Sequence, residues 1–280
     1  MNAITSSLSV SNDPKALSAV VFDWAGTVLD FGSCAPMGAF VRLFEQFGIA
    51  LTIEEARGPM GVAKWDHIKA LSELPAVAGQ WQQKYGKPFS NADVDQLYEV
   101  FTPMNAAVVA DFADFIPGAL DAIAAVRARG LKIGSTTGYN RPIMEIVTPI
   151  ATAAGYTPDN LVCAGDLVGG RPSPLMMYRT FADLGVWWPA TVVKVDDTEV
   201  GILEGLNAGT WTVGVATSGN AAGLQLGEWL ALTPDEQQAV RVKAGAKLSG
   251  AGAHYVIDSV ADLLPVLDDI AQKLKAGIKP

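Results

Sequence analysis

Apolar residues along the chain follow two patterns. Short continuous runs of strand type occur at Val20-Val21-Phe22 and at residues 131–135, 160–163, 191–195, 211–215 and 254–257, and runs of this kind suit strands buried on both faces. Helical spacing occupies the segments between the later runs, at residues 118–129, 141–154, 174–185 and 200–208. Strands alternating with helices predict a Rossmann-like α/β core with a parallel sheet and helical crossovers. The interval after the first run is different. Phe40, Leu43, Phe44 and Phe47 stand at helical spacing in residues 36–47, a second helix begins near residue 53, Gly58-Pro59 interrupts, and residues 60–71, 77–85 and 93–109 continue helical. An all-helical block inserted after the first strand predicts a cap, residues 33–112, on a core made of residues 18–32 and 113–280, with residues 1–17 a flexible tail. Residues 233–247 read as one more amphipathic helix, with no chemistry assigned to it.

With 280 residues, 50% hydrophobic and 18% charged, the chain can bury a full core. A net charge of -9 argues against a nucleic-acid backbone or an anionic membrane as partner and requires a local cluster of positive charge for any anionic substrate. Cys34 and Cys163 are too few and too far apart for a disulfide framework or a zinc site. The serine-rich start lacks a basic and apolar leader, and no apolar stretch is long enough to span a bilayer. The expectation is a soluble cytoplasmic protein acting on a small molecule.

Four polar positions fall where strand ends meet in such a sheet. Asp23 closes the first apolar run ahead of Trp24-Ala25-Gly26-Thr27, and the carboxyl ends of parallel strands are where ligands bind. Thr136-Thr137-Gly138-Tyr139 offers a hydroxyl and turn amides to phosphate oxygens. Gly169-Gly170-Arg171-Pro172 places on a tight loop a guanidinium whose fork matches a phosphoryl group. Asp196-Asp197-Thr198 follows the fourth strand. Singly, each has an ordinary explanation: a helix-capping carboxylate, a turn, a loop cation, paired surface acids. Their order in one α/β chain is less common.

That order resembles the four-motif sequence of the haloacid-dehalogenase superfamily, and Asp23-Trp24-Ala25-Gly26-Thr27 resembles its phosphonatase branch. The resemblance implies that Asp23 attacks phosphorus, that Thr137, Gly138 and Tyr139 hold the substrate, that Arg171 steadies nucleophile and phosphate, and that Mg²⁺ sits on Asp23, the Ala25 carbonyl and Asp197. Two departures stand out. Superfamily phosphatases usually carry a second aspartate where this chain has Ala25, and many members carry an acid where it has Gly201.

In the cap block, Met60-Gly61-Val62-Ala63-Lys64-Trp65-Asp66-His67, read as helix, puts Met60, Lys64 and His67 on one face. An anonymous helix of this kind more often carries a solvated lysine and a histidine bound to a carbonyl. The segment is similar, however, to the Met-Gly-x-x-Lys-x-Asp-His pattern of phosphonatases, which implies a Schiff-base lysine at Lys64, with His67 relaying protons and Met60 lining the pocket. The implied reaction is hydrolysis of the phosphorus–carbon bond of phosphonoacetaldehyde to acetaldehyde and phosphate, in aminophosphonate degradation, by a homodimer paired through the cap. A carbon leaving group needs an electron sink rather than a proton donor, which suits Ala25. A sugar-phosphate phosphatase or phosphomutase, or a non-catalytic relative, is the alternative. Ser33 and Cys34 read as hinge connections and His254 as structural.

Overall fold

The computed structural model describes residues 13–280. Six strands, β1 (Ala19–Phe22), β2 (Lys132–Asn140), β3 (Val162–Ala164), β4 (Val192–Asp196), β5 (Trp211–Val215) and β6 (Tyr255–Ile257), form one parallel sheet in the order β3-β2-β1-β4-β5-β6. β1 lies between β2 and β4 with every residue buried, as a run apolar on both faces requires. The strand order reverses direction at β1, so the ends of β1 and β4 flank the crevice where such sheets bind ligands. Past β1 the backbone pairing persists, with Asp23 N donating to Val195 O at 3.0 Å.

Five helices leave the sheet after β1: α1 (Ala35–Gln46), α2 (Ile53–Arg57), α3 (Lys64–Ser72), α4 (Pro75–Tyr85) and α5 (Asn91–Val109). Their boundaries follow local chemistry. Thr52 with Glu55 and Ser90 with Asp93 form capping boxes, Pro36 and Pro75 open α1 and α4, and Gly86 closes α4 in the left-handed region. These helices pack on one another through an apolar cluster running from Met37 to Phe101, in which Phe40 stacks on Phe101. The sheet has a separate core, with Val20, Phe22, Val193, Val195 and Val213 packed against α6 (Ala119–Ala128), α7 (Arg141–Ala153) and, further along the chain, α12 (Leu263–Lys275). The remaining helices are α8 (Leu175–Leu184), α9 (Glu199–Asn207), α10 (Leu226–Ala231) and α11 (Pro234–Gly250).

The α/β class and parallel alternation follow the sequence reading, with corrections. The helix expected over residues 60–71 begins at Lys64 instead, because Gly61 takes φ +97° and breaks the turn ahead of it. Met60 therefore lies in the preceding loop, and the single helical face joining Met60, Lys64 and His67 does not exist. β2 continues through Thr136–Asn140, with a register shift against β3 between Thr137 and Asn140, where a turn was expected. α10 and α12 were not foreseen. Of the expected tail, residues 1–12 lie outside the described residues. His254 has the structural part assigned to it, its Nδ1 accepting from Thr212 N at 3.0 Å.

Gly201 is explained by its neighbour. A Cβ there would lie 2.0 Å from Asp196 Cγ and 2.1 Å from each carboxylate oxygen, so the Asp196 carboxylate occupies the space that a side chain on α9 would fill. In an open helix, glycine to alanine is favourable by roughly 0.5–1 kcal/mol. Here the sign reverses. Gly201→Ala is expected to destabilise by about 1–3 kcal/mol through overpacking, and the same change in an Asp196→Gly background to recover most of that cost. Denaturant unfolding of both singles and the double measures the coupling. Additive effects would show that the two positions do not compete for the space.

Candidate active site

A small cavity opens at the carboxyl ends of β1, β2 and β4, roofed by the loop that precedes α3. Asp23, Ala25, Thr137, Gly138, Tyr139, Arg171 and Asp197 line it from below, and Met60, Gly61 and Lys64 from above, with Ser33 and Thr198 at its edge. Every residue named from the sequence as a ligand or reactant reaches this cavity except His67. The two layers meet closely at Gly138, where a Cβ would lie 2.9 Å from Gly61 O and 3.0 Å from Val62 O. Arg171 Nη1 also donates to Gly61 O, at 3.5 Å.

Beneath the cavity lies a buried network of charges. Arg171 Nη2 donates to Asp23 Oδ1 at 2.8 Å and to Thr136 O at 2.8 Å, lies 3.2 Å from Asp196 Oδ2, and leaves Nε to donate to Glu204 Oε2 at 3.0 Å. Lys194, also fully buried, donates to Thr136 Oγ1 at 2.7 Å and stands 3.0 Å from Asp196 Oδ2 and 3.3 Å from Glu204 Oε2. Unpaired charges at such depth would be prohibitive, so each acid is matched by a cation, and Arg171 is held in a single pose toward Asp23. Burial and the like charge of Asp196 push the Asp23 carboxyl up to about 6, against the opposing pull of Arg171 and Lys194. The carboxyl of Asp196 is lower than usual, because Arg171, Lys194 and Thr198 more than offset its burial.

Asp23, Asp196 and Asp197 bring one carboxylate oxygen each within 4.8 Å of one another. Burial, reinforced by Asp23 and Asp196, holds the Asp197 carboxyl well above the usual range, although Asn220 N donates to its Oδ2 at 2.7 Å. Carboxylate oxygens gathered this closely suit a hard divalent cation, which would relieve their mutual repulsion. Asp196 is the least available of the three: Oδ1 accepts from Thr198 N and Oγ1, and Oδ2 faces both cations.

Lys64 is 4% exposed as the first residue of α3. Its Nζ donates to Met60 Sδ at 3.7 Å and lies 5.3 Å from the Tyr139 ring centre and 5.8 Å from that of Phe40. Apolar and aromatic neighbours replace water, and burial pulls its ammonium down to about 8, with Arg171 adding to the shift and Asp23 opposing it. His67 sits behind this lysine, fully buried and stacked on Phe40 at 4.0 Å between ring centres. Its Nε2 is 2.7 Å from Ala56 O and must carry the proton, leaving Nδ1 an acceptor with no partner among the described residues. Burial first, then Lys64, keeps the ring neutral by lowering its pKa well below the ordinary value.

Several participants escaped the sequence reading. Lys194 and Glu204 lie in apolar elements and carry no motif of their own, while Thr136 and Asp196 stand inside the quoted motifs without the roles in the charge network that the structure gives them. The loop after β5 is another: Ser218 Oγ donates to Gly26 O at 3.1 Å, and Asn220 reaches Asp197.

Comparison with known proteins agrees with this geometry. Residues 17–209 match the haloacid dehalogenase-like hydrolase family. The chain is 56% identical to a phosphonoacetaldehyde hydrolase of Paraburkholderia xenovorans over 266 residues, covering 95% of this chain and 100% of that one. It is 49% identical to a phosphonoacetaldehyde hydrolase of Aeromonas hydrophila over 276 residues, covering 98% and 99% respectively. The crystal structure of a phosphonoacetaldehyde hydrolase-like protein from Oleispira antarctica superposes with a TM-score of 0.93 at 44% identity, covering 94% of this chain and 96% of that one. With its fold, its cluster of acids and these near full-length relatives, the chain belongs to the haloacid dehalogenase-like hydrolases, and within them to the phosphonoacetaldehyde hydrolases.

Proposed function

We propose that the chain hydrolyses the phosphorus–carbon bond of phosphonoacetaldehyde, giving acetaldehyde and phosphate, with Lys64 as imine-forming amine and Asp23 as nucleophile. The observation that carries this reading is a buried, depressed lysine facing a buried aspartate across one small cavity. An ordinary phosphate-ester hydrolase has no use for such an amine. Near pH 7 about one such lysine in ten is neutral, against about one in several thousand for a free lysine.

The residues divide the chemistry between them. Lys64 condenses with the aldehyde and releases water, and the protonated imine that results withdraws electrons from the neighbouring carbon. An Asp23 oxygen attacks phosphorus, the phosphorus–carbon bond breaks, and its electron pair moves into the enamine. Protonation at carbon and hydrolysis of the imine free acetaldehyde and Lys64. A second water cleaves the acyl phosphate on Asp23, so one water is consumed overall. Arg171 and Thr137 hold the phosphoryl oxygens, Gly138, Tyr139 and Met60 shape the aldehyde end, and His67, behind Lys64 and outside the cavity lining, could relay protons only where its free Nδ1 gains access to the amine. No oxygen departs from phosphorus, so the small side chain of Ala25 beside Asp23 is sufficient.

The metal in this reading is Mg²⁺ on Asp23, Asp197 and the Ala25 carbonyl, and when bound it offsets negative charge on the phosphoryl group. Residues 33–112 act as the cap on a core of residues 18–32 and 113–280. A cytoplasmic location accords with two free cysteines, and a homodimer paired through the cap is carried by the family resemblance. Among the described residues no helix is long and apolar enough to cross a membrane.

Borohydride added during turnover should attach the two-carbon fragment to Lys64, located by peptide mapping. Trapping should rise with pH through a midpoint near 8, because a depressed pKa makes the reactive neutral amine available earlier as pH increases. Lys64→Arg should bind phosphate yet lose turnover by several orders of magnitude. Labelling at another lysine, or a midpoint near that of free lysine, would refute the assignment.

Chelation should abolish turnover and Mg²⁺ restore it, while Asp197→Ala should weaken Mg²⁺ binding by calorimetry as well as activity. Full activity in excess chelator would remove the metal from the reading.

A further inference from the structure

We propose that Arg57 is a positioning residue that latches the cap onto the core and so sets the place of Lys64. The role in catalysis rests on the function proposed above; the latch itself rests on contacts alone. Arg57 ends α2, seven residues before Lys64, and its guanidinium contacts fall on the hinge segment at residues 32–34 and on the loop after β5, none of them on another cap helix beyond the N-cap of α1. Nη1 donates to Gly32 O at 2.7 Å, to Asn220 Oδ1 at 3.2 Å and to Ser33 O at 3.4 Å. Nη2 donates to Gly223 O at 3.0 Å and to Cys34 Sγ at 3.3 Å. In return, Asn220 Nδ2 donates to Arg57 O at 3.4 Å. One planar fork thus spans the segment that leaves the core after β1 and the loop that follows β5, a geometry that a lysine cannot reproduce.

The partner loop is also a support of the metal-binding acids. Asn220 N donates to Asp197 Oδ2 at 2.7 Å, so Asn220 touches Asp197 with its backbone and Arg57 with its side chain. Gly223 leaves room for the fork, since a Cβ there would lie 2.8 Å from Arg57 Nε. On the cap side, Ala56 O, one residue before Arg57, receives His67 Nε2 at 2.7 Å, which ties the end of α2 to α3 and hence to Lys64. The seat of the lysine and the orientation of Asp197 are therefore joined through Arg57 and Asn220. Loosening the latch withdraws the amine from the aldehyde, while Arg171 and Thr137, which hold phosphate oxygens from the core, keep their places.

The full-length protein with Mg²⁺ provides the test, as wild type, Arg57→Ala, Arg57→Lys, Asn220→Ala and the Arg57→Ala/Asn220→Ala double variant. Arg57→Ala should slow both kcat/KM and borohydride trapping at Lys64 by about 10- to 100-fold, the scale expected when a reacting group is misplaced from a distance. Inhibition by inorganic phosphate should change less than about twofold, since Arg171 and Thr137 are untouched. Arg57→Lys should recover only a minor part, whereas a role of charge alone would restore activity in full and overturn the proposal. Adding Asn220→Ala to Arg57→Ala should change little more, because the two share one connection.

Hydrogen exchange separates the latch from the chemistry. In Arg57→Ala, amides of residues 56–67 and 217–225 should exchange faster together while β1 and β4 remain protected. If wild type is not trapped at Lys64, the functional reading falls and this exchange alone decides the latch. If wild type is trapped and Arg57→Ala matches it in trapping rate and exchange, the latch is wrong. Should Arg57→Ala fail to fold, Asn220→Ala carries the same measurements, and wild-type values for it would be equally decisive.

Discussion

The guanidinium of Arg171 is the contact through which the rest of the site is organised. It sits 1% exposed in its side chain among three carboxylates, within 2.8 Å of Asp23, 3.2 Å of Asp196 and 3.0 Å of Glu204. Each of these groups is too deep to be stable alone, and each of the three acids faces a buried cation. Lys194 shares two of the same acids and closes the network from the sheet. Asp197 adds a fourth acid to the two cations Arg171 and Lys194, on the side of the network that faces the cavity, where a bound metal ion would relieve the crowding of carboxylates.

Lys64 is placed where that balance can act on it without consuming it. Its amine belongs to the roof, among Met60, Tyr139 and Phe40, and is in no ion pair among the described residues. Burial lowers its pKa, while Asp23, Asp197 and Asp30 pull the other way. In the proposed reaction the same acids would favour the protonated imine, in which the positive charge returns to the nitrogen, so an amine neutral before condensation and cationic after it is served by both influences. A roof held too loosely would admit water and return the lysine to its ordinary state.

Much of the fold could be read from the chain, for a physical reason. β1, β4 and β5 are buried on both faces, so their apolar runs are unbroken enough to announce them, and Asp23 and Asp197 are conspicuous because each ends such a run. Lys194 and Glu204 escaped because a single charge inside an apolar strand or helix resembles ordinary noise until the sheet brings partners to it. Thr136–Tyr139 passes for a turn since glycine and hydroxyl residues dominate it, yet pairing with β3 keeps it extended. The start of α3 was misplaced by one turn, because helical spacing from Met60 to His67 is compatible with a chain that only becomes helical at Lys64. Arg57 and Asn220 belong to no motif in the sequence; only the approach of two distant segments gives them partners.

Gly201 shows how a departure from a family pattern can mislead when read alone. An acid missing from the helix suggests a weakened metal site. In the fold, a carboxylate occupies that same space from the strand side, because Asp196 projects to where a side chain at residue 201 would lie. Its oxygens meet Thr198 at the start of α9 and both buried cations, so the negative charge remains beside Asp23 and Asp197 while its attachment to the backbone has moved. Electrostatics constrains the position of charge and is indifferent to which element supplies it. Steric exclusion then makes the two solutions alternatives: with Asp196 in place, position 201 must be glycine.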